Sequence, residues 1–171
     1  MMNLKDVMRS IEDFPQKGVI FRDITPILHD PKTLQEAVRQ MQDGIGTSDF
    51  DLILGPESRG FIFGVPIAYN LEKGFVPVRK AGKLPYKTVA KTYDLEYGQA
   101  TIEIHVDAIQ PGDKVVIVDD LLATGGTTKA MIELVESMGG QVVKLVYLIE
   151  LEFLKGRELL KGYDIHSVIQ Y

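Results

Sequence analysis

Apolar and polar residues follow two periods along this chain. Val115, Val116, Ile117 and Val118 run unbroken, which reads as a strand buried on both faces of a parallel sheet. Strands also fit 51–54, 74–78, 114–118, 142–149 and 167–170. At 100–106, Ile102, Ile104 and Val106 alternate with Thr101, Glu103 and His105, predicting a strand with one half-polar face. Helical spacing fits 3–11, 31–42, 59–71 and 127–138. The second helix has Asp30 as N-cap, Pro31 in its first turn, and Leu34, Ala37, Val38 and Met41 on one face. The last stops at Gly139 and Gly140. Strands and helices mainly alternate, so the fold class is α/β: an open, mostly parallel sheet with flanking helices. Ligands of such sheets sit at the carboxyl ends of the strands. The segment 80–91 lies between two strands, contains Gly82 and Pro85, and reads as a mobile lid.

Composition narrows the function. At 171 residues, one domain with a real core is expected. The absence of cysteine excludes disulfides, thiolate nucleophiles and cysteine zinc sites. The polar, amphipathic opening does not read as a secretory leader, and no apolar run approaches membrane-spanning length, so the cytoplasm is the expected location. A net charge of −5 does not suit a nucleic-acid surface. The basic residues are nevertheless clustered: Arg79, Lys80, Lys83, Lys87 and Lys91 occur with no acid between them. Beside a phosphate site, such a run is expected to face an anion. His29, His105 and His166 lack metal-ligand spacing.

The strongest chemical signal follows the buried strand. Asp119 and Asp120 stand at its end, and Ala123, Thr124, Gly125, Gly126, Thr127 and Thr128 lead into the last helix. A strand-to-helix turn offers free amides and the positive end of the helix dipole. Two glycines permit close approach of an anion, and the threonines add hydroxyl donors. This is a phosphate cradle. The carboxylates suit ribose hydroxyls, or a magnesium ion shared with the ligand. The plain alternative is an ordinary connector; Walker and dinucleotide glycine patterns are both missing.

Three further segments stand out. Gly55, Pro56, Glu57, Ser58, Arg59, Gly60 and Phe61 form a second strand-to-helix turn, which could hold pyrophosphate or merely cap a helix. The segment 14–26 is rich in Pro, Gly and Phe and reads as a shaped loop. In it, Phe21 either stacks on a heterocycle or staples the loop to the core. Glu96 lies among apolar and aromatic neighbours, where a raised pKa would suit acid–base work; plain surface exposure is the alternative.

Together these segments, with Leu154, Lys155, Gly156, Arg157 and Glu158, resemble the type I phosphoribosyltransferases along essentially the whole chain, and within them the adenine-using members. The resemblance implies that family's fold: a single domain, 1–171, in which 1–30 forms a small base-binding hood and 80–98 a catalytic lid. It implies adenine plus 5-phosphoribosyl-1-pyrophosphate (PRPP) giving AMP and pyrophosphate, with magnesium carried by PRPP near Asp119 and Asp120. It places adenine at the backbone of Ile20 with Phe21 stacked on it. Arg59 would approach the base or the pyrophosphate, and Arg79 and Lys80 the pyrophosphate. Asp119 and Asp120 would take the ribose diol, and Ala123, Thr124, Gly125, Gly126 and Thr127 the 5′-phosphate. Arg22, Lys83 and Tyr97 complete the substrate contacts. Glu96 would manage the proton at N7, because Ala123 stands where enzymes for 6-oxopurines carry a carboxylate. A homodimer is the family habit. The rivals are an enzyme for xanthine, hypoxanthine or guanine, and a PRPP-sensing regulator without turnover. The second usually adds a DNA-binding segment, and no basic helix-turn-helix precedes Phe14.

Overall fold

The strand at 115–118 does stand mid-sheet, and it is longer than its apolar run. In this computed structural model, which describes residues 2–94 and 98–171, the chain forms two compact units that divide after Gln40.

In the smaller unit a single 3-10 turn, Leu4–Asp6, is capped by the Asn3 side chain and buries Leu4. Two short strands follow, β1 (Arg9–Ile11) and β2 (Phe21–Asp23), paired antiparallel with Ile11 opposite Phe21. The helix expected over 3–11 is therefore not formed: pairing with a distant strand overrides the local helical spacing. Similarly, 14–26 is not all loop, since it contains β2. The Asp23 carboxylate accepts from the Thr25 amide (2.9 Å) and hydroxyl (2.7 Å), and starts the short helix α1 (Thr25–His29). Those two bonds hold the Asp23 carboxyl below its usual range. Asp30 then caps α2 (Pro31–Ile45), accepting from the amides of Lys32 and Thr33. This matches the expected start, and Ala37, Val38, Met41 and Ile45 are buried along the helix.

The larger unit holds a seven-stranded sheet. Its strands, in chain order, are β3 (Leu52–Pro56), β4 (Gly74–Lys80), β5 (Thr88–Asp94), β6 (Gln99–His105), β7 (Lys114–Leu122), β8 (Gln141–Glu150) and β9 (Ile165–Gln170). They lie in the order β5-β6-β4-β3-β7-β8-β9. β3, β4, β7, β8 and β9 are parallel, whereas β6 runs antiparallel to β4 and β5. The expected mostly parallel sheet is thus observed. Helix α3 (Arg59–Asn70) packs on β3 and β7, and α4 (Gly126–Ser137) on β5 and β8. Val115 and Ile117 join Met131, Leu134 and Val135 of α4 in one cluster. Val116 and Val118, equally buried, point to the opposite face, as strand alternation demands. The short α5 (Gly156–Leu159) follows β8.

One expected loop is a strand. β5 takes the end of the segment 80–91 read as a lid, in ladder register with β6 from Thr88 opposite His105 to Asp94 opposite Gln99. Within it Lys91 pairs with Glu133 of α4 (2.5 Å). That member of the basic run is therefore engaged by a helix rather than aimed at a ligand.

Candidate active site

The carboxyl ends of β3, β4 and β7 surround a cavity of about 670 Å³. Its walls bring together six of the expected residues: Arg59, Arg79, Lys80, Asp119, Asp120 and, from the first turn of α4, Thr127. A second, smaller cavity of about 80 Å³ is lined by Ala123, Thr124, Gly125, Gly126 and Thr127, with Asp119 shared between the two. Lys83 lies outside both linings and is exposed; its carbonyl accepts from Arg79 Nη1 (3.2 Å).

The acidic pair is built into the strand rather than placed after it, because β7 runs on through both aspartates. Asp120 shares the side of the strand occupied by Val116 and Val118, and is only 4% exposed. There Arg59 Nε stands 3.1 Å from its Oδ2, an ion pair rather than an aligned hydrogen bond. The Asp120 amide donates to Asp119 Oδ1 (2.8 Å). Burial pushes both carboxyls up, Asp119 further, because the neighbouring Asp120 charge adds to its desolvation while Arg59 offsets that of Asp120.

This carries a stability cost with a defined sign. A carboxyl raised on folding holds its proton better in the folded state, so stability falls as pH rises from the ordinary carboxylate range through the raised value. Asp119→Asn removes that loss and keeps an oxygen for the Asp120 amide. For about 1 kcal/mol recovered, the ligand-free protein should melt about 2–4 °C higher at neutral pH. The gain should vanish in acid, where Asp119 is protonated anyway. Calorimetric melting at both pH values checks this; an Asn variant that melts lower at neutral pH contradicts it.

The phosphate turn depends on one backbone conformation. Gly125 has φ +86° and forms the N-cap of α4 with no side-chain cap. A β-carbon would be strained at this φ, and would come within 2.9 Å of the Gly156 carbonyl oxygen. The first turn of α4 therefore keeps amides free of capping side chains, as an anion site requires. Thr128, one turn in, is bonded to the buried Tyr147 hydroxyl (2.7 Å), which fixes α4 on β8.

The second turn is organised by a residue that had no assigned role. Glu57 Oε1 accepts from the Lys80 amide (2.6 Å) and Oε2 from Arg79 Nη2 (3.2 Å). With the Lys80 amide as the main cause, the Glu57 carboxyl is held below its usual range against the pull of burial. Glu57 thereby fixes two cation-bearing residues of β4 at the cavity. Tyr93 was also missed. From β5, its hydroxyl meets Thr127 Oγ1 (3.1 Å). The alternation of Val89, Lys91 and Tyr93 was the available signal, masked by the lysines around it.

Ile20, Phe21 and Arg22 belong to the smaller unit. Ile20 is exposed, Phe21 meets Phe14 edge-on at 5.2 Å, and Arg22 Nη1 donates to the Ser10 hydroxyl (2.5 Å). Glu96 and Tyr97 lie outside the described residues.

Two strand-to-helix turns thus flank a pair of acids at the carboxyl ends of β3 and β7. Known proteins agree. The phosphoribosyl transferase domain model matches residues 24–167. Adenine phosphoribosyltransferase of Lachnoclostridium phytofermentans is 62% identical over 171 residues, covering 100% of this chain and 98% of that one. This chain belongs to the adenine phosphoribosyltransferase family. The crystal structure of the enzyme from Thermoanaerobacter pseudethanolicus superposes with a TM-score of 0.96 at 53% identity, covering 98% of each chain. The Saccharomyces cerevisiae enzyme, solved with an imino-altritol bisphosphate and adenine, gives 0.90 at 40% identity over 96% of each chain.

Proposed function

We propose that the two cavities at the end of β7 form a PRPP site, from which the chain transfers phosphoribose to adenine, releasing pyrophosphate and forming AMP in purine salvage. The observation that carries this is the shared wall: Asp119 lines both the turn of 123–127 and the cavity holding Arg59, Arg79 and Lys80. A 5′-phosphate in the first, a ribose diol on Asp119 and Asp120, and a pyrophosphate against the cations fit that order. Lys83 follows on the same basic segment.

Recognition of the base is assigned to residues 20–22. Backbone groups of Ile20 suit adenine, whose amino group donates while N1 accepts. Phe21 offers a ring face and Arg22 a neighbouring charge. By the family resemblance, residues 1–30 are assigned to the hood and 80–98 to the lid, and Glu96 and Tyr97 are assigned contacts to the base. Ala123 places no acid near N7, which favours adenine over 6-oxopurines. This relies on Glu96 to manage that proton.

In the reaction, a purine ring nitrogen bonds to C1′ as the C1′–O bond to pyrophosphate breaks. The chain's part is to hold both ends of PRPP, to neutralise the departing charge with Arg59, Arg79 and Lys80, and to keep water from C1′. Asp119 and Asp120 supply hard oxygen donors that suit magnesium beside phosphate oxygens. Bound with PRPP, magnesium would supply charge neutralisation of the leaving group. The proposal also takes the enzyme as a cytoplasmic homodimer, as the family resemblance implies. Among the described residues, no helix is long and apolar enough to cross a membrane.

Incubation with adenine, PRPP and magnesium should yield AMP and pyrophosphate. In a competition among purines, adenine should be consumed ahead of hypoxanthine, guanine and xanthine. Preferential consumption of a 6-oxopurine would overturn the base assignment, and absence of any nucleotide would overturn the reaction.

A further inference from the structure

The segment Leu154 to Glu158 has no part in the catalysis described so far, yet it touches the phosphate turn from behind. The small cavity is lined by Asp119 and by residues 121–128, with nothing from 151–160. On the turn's other side, the Leu151 amide donates to the Leu122 carbonyl (3.0 Å). Gly156 packs so closely that a methyl group there would collide with the Ala123 carbonyl oxygen. The Gly156 carbonyl, in turn, is what a β-carbon on Gly125 would meet. The Leu122 carbonyl at the end of β7 is thus bonded to this segment, and the Ala123 carbonyl of the turn lies packed against Gly156.

That segment is held by a buried charge pair. Glu150 is 3% exposed and closes β8. Its Oε1 accepts from Arg157 Nε (2.6 Å) and its Oε2 from Arg157 Nη2 (2.7 Å). Ser167 of β9 donates to the same Oε2 (2.7 Å), and Arg157 Nη1 reaches the Ile165 carbonyl (3.3 Å). Such a two-pronged guanidinium–carboxylate contact fixes direction as well as distance. Burial opposes the Glu150 charge, but Arg157 and Ser167 outweigh it and leave the carboxyl below its usual range.

We propose that Arg157, clamped by Glu150, is a positioning residue for the 5′-phosphate of PRPP: it fixes Gly156 as the backing that keeps the Ala123 carbonyl turned away, leaving the turn's amides for the anion. This rests on the reading of 123–127 as the 5′-phosphate site. Neither Arg157 nor Gly156 lines either cavity.

The test separates the two ends of PRPP. Ribose 5-phosphate and pyrophosphate are titrated separately by calorimetry into the wild type, Arg157→Lys and Gly156→Ala. Lysine keeps the charge but cannot span both carboxylate oxygens; alanine displaces the Ala123 carbonyl directly. A misplacement of this kind should weaken ribose 5-phosphate, and raise the KM for PRPP, by about tenfold or more. Pyrophosphate binding and the KM for adenine should stay within about twofold of wild type, since the contacts they use are not touched. A residue that only supports stability would lower the melting temperature without this split. Wild-type ribose 5-phosphate affinity in whichever variant folds, or equal weakening of both ligands, overturns the clamp while the phosphate site stands. A wild-type chain to which ribose 5-phosphate does not bind in competition with PRPP sinks both.

Discussion

Glu96→Ala is expected to lower kcat by about 10² to 10⁴, the usual range for losing a general acid–base group, while PRPP binding stays within a few-fold of wild type. The role of Glu96 is what the family resemblance implies. The purine must exchange a proton as its nitrogen bonds to C1′, and Ala123 offers none. Of the described carboxyls lining the larger cavity, Glu57 is committed to the Lys80 amide and to Arg79, and is held in its charged form. Asp120 faces Arg59, and Asp119 receives the Asp120 amide. Both are assigned to the ribose. The resemblance to the adenine-using enzymes then points to Glu96. Single-turnover rates with PRPP titrations on the same variant check this, and undiminished turnover removes Glu96 from the mechanism.

The double variant Asp119→Asn, Asp120→Asn should bind PRPP about 10² to 10⁴ times more weakly, from two charge-assisted hydrogen bonds at roughly 1.5–3 kcal/mol each. Arg59 would also lose the carboxylate that faces it. Titration of PRPP with magnesium reads the effect; affinity equal to wild type rules out the ribose role. The same acids set a pH dependence. Because burial raises both carboxyls, they take up protons at a higher pH than exposed aspartates do. PRPP affinity should therefore fall early as pH is lowered through those raised values. The double variant should show no such fall from these positions.

The core of this site was legible because its chemistry is local. A buried β-branched run, two acids and a glycine-rich turn are contiguous, so strand, cradle and helix followed from adjacent residues. The second turn was visible for the same reason. What escaped depends on residues far apart in the chain. The start of β5 was hidden inside the segment 80–91, whose Gly82 and Pro85 read as loop. Only the partner strand β6, and Glu133 of α4 for Lys91, give residues 88–94 a place. The opening residues had helical spacing, but Arg9–Ile11 found a partner ten or more positions later. Glu57 stood inside a recognised motif, yet its job is defined by the Lys80 amide, which no local pattern announces.

The outermost parallel strand has a consequence of its own. β9 donates Ser167 to Glu150, and Tyr171 exchanges backbone bonds with Glu150 and Glu152. The rim of the sheet is therefore wired to the segment that backs the phosphate turn. Trimming or fusing at that rim while shortening the chain for expression would erode nucleotide affinity at a distance, in a protein whose interior still looks intact.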